Sequence, residues 1–248
     1  MKKTLRSVVY AVVLVVIGVG PALAQDRARS ASTSTERFEV SSIKAVRPTL
    51  VNTIAALQKQ DVPGAKSAFE AYDRAWNGIE VYINFRSIDM YNLIEHTYQD
   101  RIKKALNEPV PDAAAIAVDA QAMLGKFDEA VSMIEKAPPI SPLFDDVARL
   151  RIARASLMPV NSALRAGDFS RARDGVAGFR RSWSSVAGLV KGRSQDAHDA
   201  IERALTELDA ALKQDHPNTD QVTKTMSALN VSYNTVLGEV NKEARTAK

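Results

Sequence analysis

Four side chains in one short stretch, Glu80, Asp89, Glu95 and His96, are of the types that hold cations or move protons. Carboxylates on neighbouring helices can converge on a hard cation, which prefers oxygen ligands, and an imidazole beside them suits a transition metal. Glu80 and Glu95 each stand about one residue off an apolar stripe on consecutive helices, so antiparallel packing lets the two carboxylates approach one another. With His96 they form the candidate metal-ligand set. The competing reading is solvated charge flanking a core. Asp89 falls in a first helical turn, where a carboxylate offsets the positive end of the helix dipole.

No familiar catalytic constellation accompanies these groups. The chain has no His-Glu-x-x-His, no Gly-x-Ser-x-Gly and no Gly-rich phosphate loop. Di-iron bundles carry Glu-x-x-His on their helices, whereas here His96 follows Glu95 directly and His198 stands in a His-x-x-x-Glu with Glu202. The lack of cysteine removes disulfides, thiolate metal ligands and c-type haem attachment together. These patterns predict no enzyme, no haem and no nucleotide, and place the isolated histidines on the surface.

The elements that must position the acids are helices, and they come twice. Trp76 and Trp183, the two tryptophans, lie 107 residues apart. Laying Arg47–Glu95 on Arg154–Glu202 without a gap gives thirteen identities, among them Asp61/Asp168, Trp76/Trp183, Arg86/Arg193, Ser87/Ser194 and Glu95/Glu202. Chance gives about three or four at average residue usage. The expectation is an all-α chain, a tandem duplication of an up-down four-helix bundle with about eight long helices.

Apolar spacing places the first four helices at 42–60, 62–85, 88–107 and 112–136. Asp61 and Ser87 are placed to cap the second and third, and Pro63 sits in a first turn, where its missing N–H costs nothing. The second helix should bury Ala65, Phe69, Tyr72, Trp76, Ile79 and Ile83, and the third Tyr91, Ile94, Tyr98, Ile102 and Ala105. The later helices are expected over 143–166, after Asp168, after Ser194 and over 218–244. Because Glu95 and Glu202 recur together with Arg74/Arg181 and Arg86/Arg193, a Glu–Arg contact between second and third helices is expected in each copy. Glu80 faces Ala187 in the other copy, and Tyr91, His96 and Tyr98 face His198, Arg203 and Leu205. That asymmetry places any ligand site in the first copy.

Lys2, Lys3 and Arg6, the apolar run Val8 to Val19 and the small-residue site Ala22-Leu23-Ala24 read as a cleavable signal peptide over 1–24. The run is shorter than the roughly 20 residues that span a bilayer, so the processed chain should be periplasmic and not membrane-spanning. A flexible leader over 25–41, a first repeat over 42–137, a Pro-rich linker over 138–142 and a second repeat over 143–248 follow. Three of the 33 Lys and Arg belong to the signal, which leaves the rest nearly balanced against 29 Asp and Glu. Without a clustered basic face, neither nucleic acid nor an anionic membrane surface is an expected partner.

An exported, cysteine-free, helical chain of two tandem bundles resembles the imelysin-like components of bacterial iron-uptake systems. The stretch Ala71-Tyr72-Asp73-Arg74-Ala75-Trp76-Asn77-Gly78-Ile79-Glu80, followed by Asp89 and by Ile94-Glu95, is similar to the extracytoplasmic helical domain of some bacterial iron permeases. His96-x-x-Gln99 and His198-x-x-Ile201 depart from the His-x-x-Glu pattern of the imelysin-like proteins. The resemblance implies iron or another metal ion as cofactor, Glu80 and Glu95 as carried-over ligands, and a membrane permease or other envelope protein as partner. Two functions stay open: an exported protein assisting metal uptake through first-repeat carboxylates, or a non-catalytic envelope scaffold or protein-interaction module that binds no metal. In the second case Tyr82 and Phe85 should lie in an exposed apolar patch.

Overall fold

The computed structural model describes residues 36–247, which are all-α with no strand among them. The expected signal peptide and most of the expected leader lie outside the described residues. Helix α1 (Phe38–Gln58) and α2 (Val62–Arg86) are joined by a tight turn. Next, α3 (Ile88–Asn92), a π-helical turn (Leu93–Gln99) and α4 (Asp100–Leu106) follow one another without a break, and α5 (Ala113–Lys136) completes the first half. The second half comprises α6 (Leu143–Ala155), α7 (Met158–Arg165), α8 (Phe169–Trp183), α9 (Ala187–Arg193), α10 (Gln195–Leu212) and α11 (Thr219–Thr246).

The helices start where cap chemistry directs them. Asp61 accepts from the Gly64 N–H and Asp168 from the Arg171 N–H, each at 2.9 Å. Ser87 accepts from Met90 at 3.2 Å and Ser194 from Ala197 at 3.1 Å. Each bond satisfies a backbone donor that the first helical turn cannot pair internally. The ends match as well: Gln60 at φ 59° and Gly167 at φ 69° adopt the left-handed conformation at corresponding places before the two Asp caps. Glycine takes that conformation without steric cost, and glutamine does not.

Three elements differ from expectation: the single helix expected after Asp168 is broken at Ser184–Val186 between α8 and α9, and two further differences have identifiable reasons. The expected helix over 143–166 is broken between α6 and α7, and Pro159, which has no N–H to give the preceding turn, stands in the first turn of α7, although α1 runs unbroken across its own Pro48. In α1 the corresponding residue is Asn52 and the helix runs through. The third helix of the first half carries the π turn, so its buried face steps from Ile94 to Gln99 and then to Ile102 and Leu106. A π turn holds one residue more than α-helical winding would. The matching α10 buries Ile201, Ala204, Leu205, Leu208, Ala211 and Leu212 in ordinary register. Ahead of the π turn the halves correspond at a spacing of 107, and beyond it at 106, which places Phe127 opposite Tyr233 and Asp112 opposite Asn218.

All six residues of the α2 stripe are buried, and α1 begins earlier than expected, at Phe38, whose ring lies 4.4 Å from the Arg149 guanidinium carbon. Trp76 packs against Tyr72 and Phe127, and Trp183 against Phe179 and Tyr233. From Arg37 onward the described residues form one compact unit, with the run 137–142 between the halves. The halves meet where α2 packs on α6. There Tyr82 Oη donates to Asp145 Oδ1 at 2.8 Å, and the Phe85 and Phe144 rings lie 4.5 Å apart. Tyr82 is therefore wholly buried, contrary to the expected exposed patch, and of the pair only Phe85 reaches solvent. Close approach depends on Gly78: a Cβ there would stand 2.2 Å from Ile152 Cγ1 and 3.3 Å from the Ala148 carbonyl oxygen.

Candidate functional site

The acids singled out in the sequence are placed on or beside the α2 face. Trp76 Nε1–H donates to the Glu95 carboxylate, and Trp183 Nε1–H donates to Glu202 Oε1 at 2.7 Å. A buried indole needs an acceptor and a half-buried carboxylate needs a donor, so each explains why the other recurs. The Glu–Arg contact expected at this place is not formed. Arg86 Nη2 instead reaches Glu39 at 2.7 Å, and Arg193 reaches Asp146 at 3.9 Å and Glu243 at 2.6 Å.

Glu80 accepts from Arg151 Nη1 across the junction between the halves. Burial raises its pKa to about 7, outweighing the Arg151 guanidinium that favours the charged form, and the nearby Glu95 charge raises it further. Burial also raises Glu95, against the Trp76 hydrogen bond. The structure thus brings Glu80 and Glu95 within electrostatic reach of one another. His96 is not brought in: its side chain is 59 % exposed and its Nδ1 lies 3.4 Å from Asp100 Oδ2. Among the described residues no three His, Asp or Glu side chains gather as a cation cage. Expected at the surface, His198 is instead partly buried, its ring 5.8 Å from that of Trp183.

The larger asymmetry lies in the second half, in the seam that α6 and α7 form with α11. In the first half the matching seam is sealed by Ile54 and Leu124 and pinned by two ion pairs, Lys44–Glu135 at 2.5 Å and Arg47–Asp128 at 2.7 Å. The corresponding second-half residues are Asn161 and Asn230 for the apolar pair, Arg151–Asn241 and Arg154–Asn234 for the ion pairs. Both positions of the cations hold a cation in each half, while amides stand where the first half has acids. Arg151 turns to Glu80 of the other half, and Arg154 makes no ion pair or hydrogen bond among the described residues. Beyond the break at Pro159, α7 packs on α8 and leaves α11.

The result is a polar cleft of about 290 Å³ where α2, α6, α7 and α11 meet, lined by Asn77, Glu80, Arg151, Arg154, Asn161 and Asn230 among others. It continues along the α7/α11 seam as a groove of about 570 Å³ past Leu164, Met226 and Val231, sharing Asn161 and Asn230. Guanidinium and amide groups supply hydrogen-bond donors, and Glu80 with the amide oxygens supplies acceptors.

Sequence reasoning named Glu80 and missed Arg151, Arg154 and the seam asparagines. A signal was present in the replacement of Asp128 and Glu135 by Asn234 and Asn241, but it emerges only when the fourth helices are aligned at 106 rather than 107. No helix among the described residues is long and apolar enough to cross a membrane. Comparison with protein-family models, with curated proteins and with solved structures gave no match.

Proposed function

We propose that this chain is an exported, non-catalytic binding module that engages another envelope protein and uses no metal. The observation that carries this reading is the opened seam of the second half, where α7 leaves α11 and asparagines stand in place of sealing apolar and acidic residues. Val231 is 63 % exposed and Met158 42 % exposed beside those amides. Apolar contacts interspersed with hydrogen-bonding groups are what a docked protein segment requires. A photoreactive amino acid at Val231 should give a discrete cross-linked adduct in the envelope, and one at Val118, 70 % exposed on α5, should not. No adduct from Val231, or the same adduct from both positions, overturns the reading.

The metal-uptake reading takes second place, supported by the proximity of Glu80 to Glu95. Its difficulty is that Arg151 and Trp76 already occupy those carboxylates. Calorimetry of the processed chain with ferric, ferrous, copper and calcium ions separates the two. Saturable binding that disappears in Glu80→Ala with Glu95→Ala would put the metal reading first.

A further inference from the structure

The first half displays what Arg154 lacks. There Arg47 holds Asp128 through two bonds, Nε to Oδ1 at 2.7 Å and Nη2 to Oδ2 at 2.9 Å, which is the forked geometry that suits a carboxylate. In the second half the guanidinium is retained, the internal acid is replaced by Asn234, and the space beside it is an open cleft of about 290 Å³. We propose that this cleft is a receptor for a small hydroxylated carboxylic acid, whose carboxylate takes at Arg154 the place that Asp128 takes at Arg47.

The rest of the lining specifies the rest of the ligand. Asn77 and Asn230 each give one amide N–H to a backbone carbonyl, of Asp73 and Met226 at 2.6 and 3.0 Å, which leaves the side-chain oxygen and the second N–H of each for a ligand. Glu80 adds a further acceptor, while Asn161 can donate as well as accept. Amide groups that both donate and accept, together with a guanidinium, suit a molecule bearing several O–H groups and a carboxylate. The volume lies near the lower end of small-ligand pockets, about 300 Å³. Recognition here does not depend on a protein partner in the α7/α11 groove, so the two readings fail separately.

Titration calorimetry at pH 7 with glucuronate and L-tartrate, against acetate and glucose as probes carrying only one of the two features, tests the site. Glucuronate or tartrate should bind saturably, with acetate and glucose at least tenfold weaker. Arg154→Gln should reduce binding at least tenfold. Asn234→Asp, which restores the internal acid found in the first half, should also reduce it at least tenfold while keeping or raising the melting temperature, so that loss of binding cannot be loss of fold. No saturable binding of either hydroxylated acid, or binding unchanged in a folded Asn234→Asp protein, overturns the proposal.

Discussion

Burial of Glu80 penalises its charged form more than the Arg151 guanidinium compensates, which lifts its pKa from 4.5 to about 7. The folded state therefore holds this proton more tightly than the unfolded chain. The stabilisation is fully present below about pH 4.5 and is lost as pH rises through 7, with a ceiling of roughly 3 kcal/mol by linkage. The side chain is 15 % exposed, so solvent screens it little. Urea unfolding should show stability falling between pH 5 and pH 8 more steeply in the parent protein than in Glu80→Gln; equal slopes would mean that Glu80 ionises as it does in the unfolded chain. The indole–carboxylate pairs belong to the same scale. Trp76→Phe keeps most of the ring contacts but leaves the part-buried Glu95 without its donor, and should cost about 1–3 kcal/mol. Adding Glu95→Leu should recover part of that loss, and a double-mutant cycle with no coupling would remove the hydrogen bond from the account.

Helix α10 is the regular counterpart of the rod that α3, the π turn and α4 compose, and the difference between them is one residue. Between Glu95 and the buried Gln99 stand His96, Thr97 and Tyr98, whereas between Glu202 and the buried Leu205 stand Arg203 and Ala204. Thr97 is exposed, so its removal should convert the π turn to α-helix and keep Ile94, Ile102 and Leu106 facing the core. Deleting Lys104 instead would rotate Leu106 out by about 100°. We expect the Thr97 deletion to fold with a helical circular-dichroism spectrum and a cooperative melt, and the Lys104 deletion to melt at a clearly lower temperature. The reverse order would show that the π turn is required for folding. The corresponding position in the other half, between Glu202 and Leu205, already does without the extra residue.

At the scale of the whole molecule, the α2/α6 crossing unites the halves, and Gly78 is the residue that permits it. A methyl group at 78 would meet Ile152 Cγ1 at 2.2 Å, and the Ala148 carbonyl oxygen leaves little room on the other side. Gly78→Ala should therefore cost about 1–3 kcal/mol through overpacking, and Ile152→Ala in the same chain should recover part of it. Since the same crossing carries Tyr82–Asp145 and Glu80–Arg151, loosening it should also speed proteolytic cleavage within the run 137–142. A Gly78→Ala protein with parental melting temperature and parental cleavage rate would show that the helices separate at no cost.

The α2 stripe and the caps at Asp61, Ser87, Asp168 and Ser194 were legible in the chain because their causes are local, whereas the sequence points Glu95 and Glu202 to Arg and not to the Trp76 and Trp183 indoles that hold them. A 3.6-residue period and a cap bond spanning three residues are written into neighbouring positions. The lack of cysteine likewise follows from composition. The partner of Glu80 was not legible, because Arg151 lies 71 positions away and reaches it only once α2 packs on α6. Nor was the seam: one extra residue in the π turn shifts the correspondence from 107 to 106, which hides the replacement of Asp128 by Asn234 from any ungapped comparison of the halves. Which half holds Arg154 without an acid was decided by tertiary structure, since a vacant guanidinium is defined by the acid that fails to face it, and facing is a property of packed helices rather than of sequence order.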